Sequence, residues 1–125
     1  GRLELFGDQV YLDGAHNPHA MLRLIEFANS LAGKRVKILF GALKRKDYSG
    51  MLQTLQAGLP EAELILTTFH YGEVVAQGDR QDLPYVADYK AYIKEFMNQS
   101  RPDEVLFVTG SLYFIAEVRA FLLEG

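Results

Sequence analysis

An acid and an imidazole, Asp13 and His16, share the short segment Leu12-Asp13-Gly14-Ala15-His16-Asn17-Pro18. Such a pair can accept and donate hydrogen bonds or protons at a common ligand. The flanks decide how the pair is presented. Val10, Tyr11 and Leu12 are strand-forming residues, Asn17 is a preferred helix N-cap, and Pro18 suits a first helical position because its missing N–H had no intrahelical partner. The segment therefore predicts strand, polar turn and helix. A helix start offers free N–H groups and the positive end of a dipole, which together favour an anion. Turn chemistry alone is equally compatible with a plain helix start on which Asp13 and His16 decorate a loop.

Two further polar segments follow apolar runs. Lys44-Arg45-Lys46 comes after Val36 to Phe40, and Thr109-Gly110-Ser111 comes after Glu104 to Val108. The basic triplet reads either as an ordinary solvated turn or, by its place at a strand end, as a contact for an anionic substrate. Ser111 reads either as the cap of the last helix or as a substrate contact. His16 and His19 have helical spacing, but two histidines and one aspartate without cysteine make a poor ligand set, so no metal site is expected. His70 has no assigned role beyond a surface or strand-end position.

The elements that must carry these turns alternate in type. Leu3 to Phe6 and Gln9 to Leu12 form two short strands around Gly7-Asp8, the first a candidate antiparallel edge strand. Met21, Leu24, Ile25, Ala28 and Leu31 share one helical face, with Gly33 placed to stop that helix. Val36 to Phe40 predicts a strand buried on both faces. Asp47 caps a helix running to about Ala57, with Gly58 as its stop and Pro60 beyond it. Glu63 to Phe69 is the next strand. His70 to Pro84 is poorly patterned, compatible with a short helix at 71–76 and a loop at 77–83. Tyr85 to Ala87 predicts a short edge strand, Asp88 a cap, Tyr89 to Gln99 a helix, Glu104 to Val108 a strand, and Ser111 the start of a last helix turning Leu112, Ile115, Val118 and Leu122 inward. This alternation predicts an α/β fold, a mostly parallel sheet flanked by helices, with ligands outside the carboxyl ends of the strands.

Composition narrows the function. The chain has 125 residues, 49% of them hydrophobic, enough for one compact core in one domain. A net charge of -3 and a pI near 5.6 argue against nucleic acid as a partner. No apolar run is long enough to cross a membrane, and the lack of cysteine fits a reducing, cytoplasmic setting. Neither a G-x-x-x-x-G-K-[ST] loop nor a G-x-G-x-x-G fingerprint is present, so the chain has no complete phosphate cradle of its own.

Asp13-Gly14-Ala15-His16-Asn17-Pro18 resembles the D-x-A-H-N-P signature of the ATP-dependent amide ligases that include folylpolyglutamate synthase, dihydrofolate synthase and the Mur ligases. Gly1-Arg2-Leu3-Glu4 resembles the P-G-R-x-E opening of the carboxyl-terminal domain in the folate branch. Phe40-Gly41-Ala42-Leu43-Lys44-Arg45-Lys46-Asp47 resembles its G-A-L-K-D-K-D turn, with Arg45 where an aspartate is usual. Val108-Thr109-Gly110-Ser111-Leu112-Tyr113 resembles its V-T-G-S-L-Y turn. The segments come in family order along nearly the whole chain.

The resemblance implies a Rossmann-like carboxyl-terminal domain, excised from a longer enzyme whose amino-terminal ATPase domain holds the phosphate loop and the Mg²⁺ ligands. It implies a monomer that binds ATP and L-glutamate and extends folate, or dihydropteroate in a bifunctional member, through an acyl phosphate. Carried over position by position, Arg2 and Asp13 are nucleotide contacts, His16 lies near the reacting groups, and Ser111 receives glutamate. Lys44 and Lys46 join as substrate contacts by charge and placement. The rival readings are a Mur-type ligase domain acting on a peptidoglycan precursor, against which the second and third turns speak, and a free-standing α/β module with a small regulatory anion pocket.

Overall fold

The computed structural model describes residues 3–124, so Arg2 lies outside the described residues. In chain order the elements are β1 (Leu3–Phe6), β2 (Val10–Asp13), α1 (Pro18–Asn29), β3 (Arg35–Phe40), α2 (Tyr48–Gly58), β4 (Glu63–Thr67), β5 (Tyr85–Val86), α3 (Tyr89–Gln99), β6 (Glu104–Thr109) and α4 (Leu112–Glu124). The strands form one sheet in the order β1-β2-β6-β3-β4-β5. β1 and β2 run antiparallel, and every other pairing is parallel. The last strand in sequence is thus inserted between β2 and β3.

Strand side chains alternate between faces, and each face meets its own pair of helices. Ile38, Phe40, Leu64, Leu66, Val105 and Phe107 pack with α1 and α2, while Leu39, Ile65, Leu106 and Val108 pack with α3 and α4. β6 is buried along its whole length, as a central parallel strand requires. Phe107 anchors the first face by stacking on Tyr11 at 5.2 Å and meeting Phe27 edge-on at 6.1 Å. Its truncation to alanine is expected to cost about 3–5 kcal/mol.

Helix starts obey local chemistry. The side chains of Asn17, Asp47 and Asp88 accept from the backbone N–H groups of Ala20, Gly50 and Ala91 at 2.8, 2.9 and 3.0 Å. Other expectations are corrected. α1 ends at Asn29, where the Ser30 hydroxyl donates to Phe27 O at 2.6 Å, so Leu31 packs from a turn and Gly33, at φ +77°, serves that turn instead of stopping the helix. Gly58 closes α2 as its last residue, and β4 ends at Thr67, short of the buried Phe69.

The poorly patterned stretch holds no helix at 71–76. Leu43 pairs with Val74 as an isolated antiparallel bridge, and a 3-10 turn at Gln77–Asp79 follows. The Asp79 carboxylate accepts from Ala76 N–H at 2.8 Å, and Arg80 grips Asp82 through Nε and Nη2 at 2.9 and 2.8 Å. At the last helix Ile115 and Val118 are buried and Leu122 half-buried, but Leu112 is 53% exposed. As the first residue of α4 it lies over the loop after β2 instead of under the helix.

Candidate functional site

Strand order brings the polar turns together. At the carboxyl edge of the sheet Asp13 of β2 is in register with Thr109 of β6, which is in register with Phe40 of β3. The turns after these strands, 14–17, 110–111 and 41–47, are therefore neighbours. Gly41 N–H donates to Thr109 O at 3.1 Å. Gly110 has φ +126°, and a Cβ there would collide with the Gly41 carbonyl oxygen, so only glycine allows this approach.

Asp13 is 2% exposed, and its Oδ1 accepts from Ala15 N–H at 3.1 Å. Burial raises its carboxyl above the ordinary range, and the Ala15 N–H opposes that rise only in part. A charge brought to Asp13 by a ligand donor would relieve this cost. His16 is exposed, with Nδ1 at 3.2 Å from Gly14 O. A carbonyl can only accept, so Nδ1 carries the proton and Nε2 remains available to a ligand. Immediately after it, the capped N-terminus of α1 opens toward the same edge.

Ser111 is buried, 4% exposed. Its Oγ accepts from Tyr113 N–H at 3.2 Å and its carbonyl from Ile115 N–H at 3.0 Å, so it starts α4 as a capping residue does. Its hydroxyl proton is still available for donation. The basic turn divides. Lys44 Nζ lies 3.6 Å from Asp79 Oδ2, and the Lys44 backbone N–H donates to Glu73 O at 2.9 Å. Lys46 is exposed and makes no ion pair among the described residues. The structure thus brings Asp13, His16 and Ser111 to neighbouring turns and ties Lys44 to an internal partner.

Sequence reasoning missed a second group on this edge. The segment after β4 docks residue by residue on α4. The Phe69 and Phe114 rings are 5.0 Å apart, and the Tyr71 and Tyr113 rings stack at 3.8 Å and 11°. Between them His70 offers its backbone N–H and Nδ1 to the two Glu117 oxygens, both at 3.1 Å, and the Tyr89 hydroxyl donates to the same carboxylate at 2.7 Å. Burial alone would raise Glu117, but the bonds from Tyr89 and His70 hold it below its ordinary range. No periodicity could have revealed these partners, which lie 28 to 47 positions apart.

No group of three or more His, Cys, Asp or Glu suited to a metal ion occurs among the described residues, and no helix among them is long and apolar enough to cross a membrane. The edge offers two helix starts for an anion, a buried carboxylate for a donor, and a free imidazole nitrogen.

Comparison with known proteins agrees with this geometry. Residues 1–112 match the family described as Mur ligase, glutamate ligase domain. The chain is 32% identical over 132 residues to the dihydrofolate synthase/folylpolyglutamate synthase of Bacillus subtilis, covering 95% of this chain and 29% of that protein. The bifunctional folylpolyglutamate synthase/dihydrofolate synthase of Yersinia pestis, solved with AMPPNP and Mn, superposes with a TM-score of 0.82 at 25% identity, covering 98% of this chain and 31% of that one. A bifunctional synthase solved with Mn, AMPPNP and L-glutamate bound superposes at 0.81, with the same identity and coverage. The chain therefore spans about 30% of the length of these relatives. With its six-stranded sheet, its antiparallel first pair and its three converging turns, it belongs to the glutamate ligase domain family of the Mur ligases.

Proposed function

We propose that this chain is the carboxyl-terminal, ATP- and glutamate-binding domain of an ATP-dependent ligase that adds L-glutamate to folates, with dihydropteroate as a further acceptor in a bifunctional enzyme. The observation that carries this reading is the convergence of Asp13, His16 and Ser111 on adjacent strand ends, in a chain similar along 95% of its length to a synthase of that activity.

In the reaction a carboxylate oxygen of the acceptor attacks the γ-phosphorus of ATP and ADP leaves. The amine of glutamate then attacks the acyl phosphate, phosphate leaves, and the ammonium proton is lost. This domain supplies positioning and charge stabilisation, which dominate such transfers. Asp13 receives a hydroxyl or amine donor of the nucleotide, and the α1 N-terminus faces its negative groups. His16 Nε2 stands near the reacting atoms, and Ser111 with the α4 start receives a glutamate carboxylate. Lys46 adds positive charge, whereas Lys44 joins it only by leaving Asp79. Arg2 completes the nucleotide contacts. The described residues hold no cluster of three acidic or imidazole groups for Mg²⁺, in keeping with ligands and a phosphate loop carried by an amino-terminal ATPase domain. The enzyme acts as a cytoplasmic monomer.

The test is ADP release by the full-length enzyme on a panel of acceptors. Release that requires both glutamate and a folate or dihydropteroate is expected. Release with a peptidoglycan precursor and another amino acid would assign the Mur-type reaction, and no ATP turnover would leave an anion-binding module.

A further inference from the structure

His70, to which the candidate site gives no task, lies at one end of a strap. After β4 the chain fastens on α4 at three successive residues, Phe69 on Phe114, His70 on Glu117 and Tyr71 on Tyr113. It then fastens on the turn after β3, where Val75 N–H donates to Ala42 O at 2.8 Å, Lys44 N–H donates to Glu73 O at 2.9 Å, and Leu43 bridges Val74. Farther along, the Asp79 carboxylate lies 3.6 Å from the Lys44 ammonium. Residues 69–79 therefore tie the helix that Ser111 starts to the turn 41–47, two of the three turns at the candidate site.

Two of the three fastenings on α4 are ring contacts, and one can change its charge near neutral pH. An imidazole gains or loses a proton between about pH 5 and 8, and the His70 side chain is 88% exposed, open to solvent. Its partner is fixed. Tyr89 is buried and donates its hydroxyl to Glu117 Oε2 at 2.7 Å, and His70 Nδ1 meets the same oxygen at 3.1 Å. Burial raises the Glu117 carboxyl, but the bonds from Tyr89 and His70 outweigh it, so Glu117 stays ionised across the imidazole range. Burial and the Glu117 bond raise the Tyr89 phenol, which stays a donor. Around this contact α3 brings Tyr89 and, at its cap, Asp88; α4 brings Glu117 and Tyr113; the strap brings Tyr71; and the turn after β3 brings Arg45, whose charge acts on Tyr71. The charge in direct contact is the Glu117 carboxylate. A proton on His70 therefore adds attraction, and its loss leaves a neutral N–H donor in the same place.

We propose that His70 is a positioning residue for the candidate site: through Glu117 it latches the strap to α4, and the latch holds the turn 41–47 beside Ser111 more firmly when the His70 ring is protonated. The effect on substrate rests on the ligase reading above, whereas the latch itself does not. Glutamate held by Ser111 and the α4 start binds more tightly at lower pH, through the position of the turn and not through a contact with His70. One exposed charge pair moves such an equilibrium by a small factor, so the effect belongs in a comparison of pH profiles.

The experiment follows hydrogen exchange of the full-length enzyme, and its KM and kcat for glutamate, from about pH 6 to about pH 8 in wild type, His70→Gln and Glu117→Gln. Glutamine at position 70 keeps a donor that does not titrate, and all three proteins keep His16 and His19, so a difference between profiles belongs to the latch. After correction for the intrinsic pH dependence of exchange, protection of residues 69–76 and 42–46 in wild type is expected to fall about two- to fivefold with rising pH, the scale of one exposed charge pair, and to stay flat in both variants. The KM for glutamate should rise with pH by about the same factor more in wild type than in His70→Gln, with the change in kcat shared by the two. Superimposable exchange profiles for wild type and His70→Gln would overturn the latch, and unequal exchange with matching KM profiles would overturn its part in the site. A wild-type enzyme that adds no glutamate would overturn the ligase reading and the effect on glutamate, while the exchange profiles still decide the latch.

Discussion

Two helices begin at the same edge of the sheet, on neighbouring strands, and they begin differently. α1 opens with Asn17, whose exposed side chain binds Ala20 N–H, and Pro18 follows. α4 opens with Ser111, which is buried and whose Oγ receives Tyr113 N–H. The exposed start is a local device that three or four residues suffice to build. The buried start depends on long-range packing, because Gly110 must pass against Gly41 and Phe114 must meet Phe69 and Tyr89. A ligand held between them would therefore meet one turn built by local chemistry and one built by long-range packing.

The largest effect should come from breaking the rigid side. Gly110→Ala puts a Cβ against the Gly41 carbonyl and forces an alanine to φ +126°. A loss of about 3 kcal/mol or more in denaturant unfolding is expected, or failure to fold, from strain and collision together. Full stability of this variant would show that the two turns can separate.

The caps allow a finer comparison. Asn17→Ala and Ser111→Ala should each cost about 1 kcal/mol, whereas Ser111→Gly should lose only a few tenths because glycine tolerates the cap position. Both Ser111 variants lack the hydroxyl. If that hydroxyl serves glutamate, both should raise the KM for glutamate in the full-length enzyme to a similar degree despite their different melting temperatures. A KM that tracks stability instead would leave Ser111 as a cap. An aspartate at this position is a poor probe, since it would bury a charge.

The smallest effect is a change in pH dependence on the α1 side. Burial raises the Asp13 carboxyl above its unfolded value of 3.8. A raised acid favours the fold below the unfolded value and loses that contribution as pH rises through the folded one. Asp13→Asn should therefore gain stability relative to wild type as pH rises from about 4, and the gain should level off once Asp13 is ionised in the fold. Melting curves across pH check this, and parallel curves for the two proteins would contradict it.

The exposed start was fully legible in the sequence, because caps, proline and strand-forming residues act within one turn of chain. Most strand ends were legible for the same reason, but β4 stops at Thr67 although the expected strand ran on to Phe69. What the alternation of elements could not tell was that β6 lies between β2 and β3, and only this insertion makes neighbours of Asp13, Gly41 and Ser111. The stretch from His70 to Pro84 stayed unreadable because its order comes from partners far along the chain, Glu117 and Tyr113 on α4 and Ala42 and Leu43 beside β3. Leu112 misled for a related reason: helical periodicity places it inward, but a helix has no preceding turn at its first residue to turn that side chain under.

The central claim is that the Asp13 turn positions the nucleotide and the reacting groups. The most direct test is kcat/KM for ATP in glutamate addition by full-length Asp13→Ala, measured beside His16→Ala with circular dichroism to verify the fold. The account predicts a loss of about tenfold to a thousandfold for Asp13→Ala, the range of one to a few positioned polar contacts, and a clear loss for His16→Ala at unchanged stability, since that side chain is exposed. Wild-type kinetics in both folded variants would contradict it and return the turn to the role of a helix start.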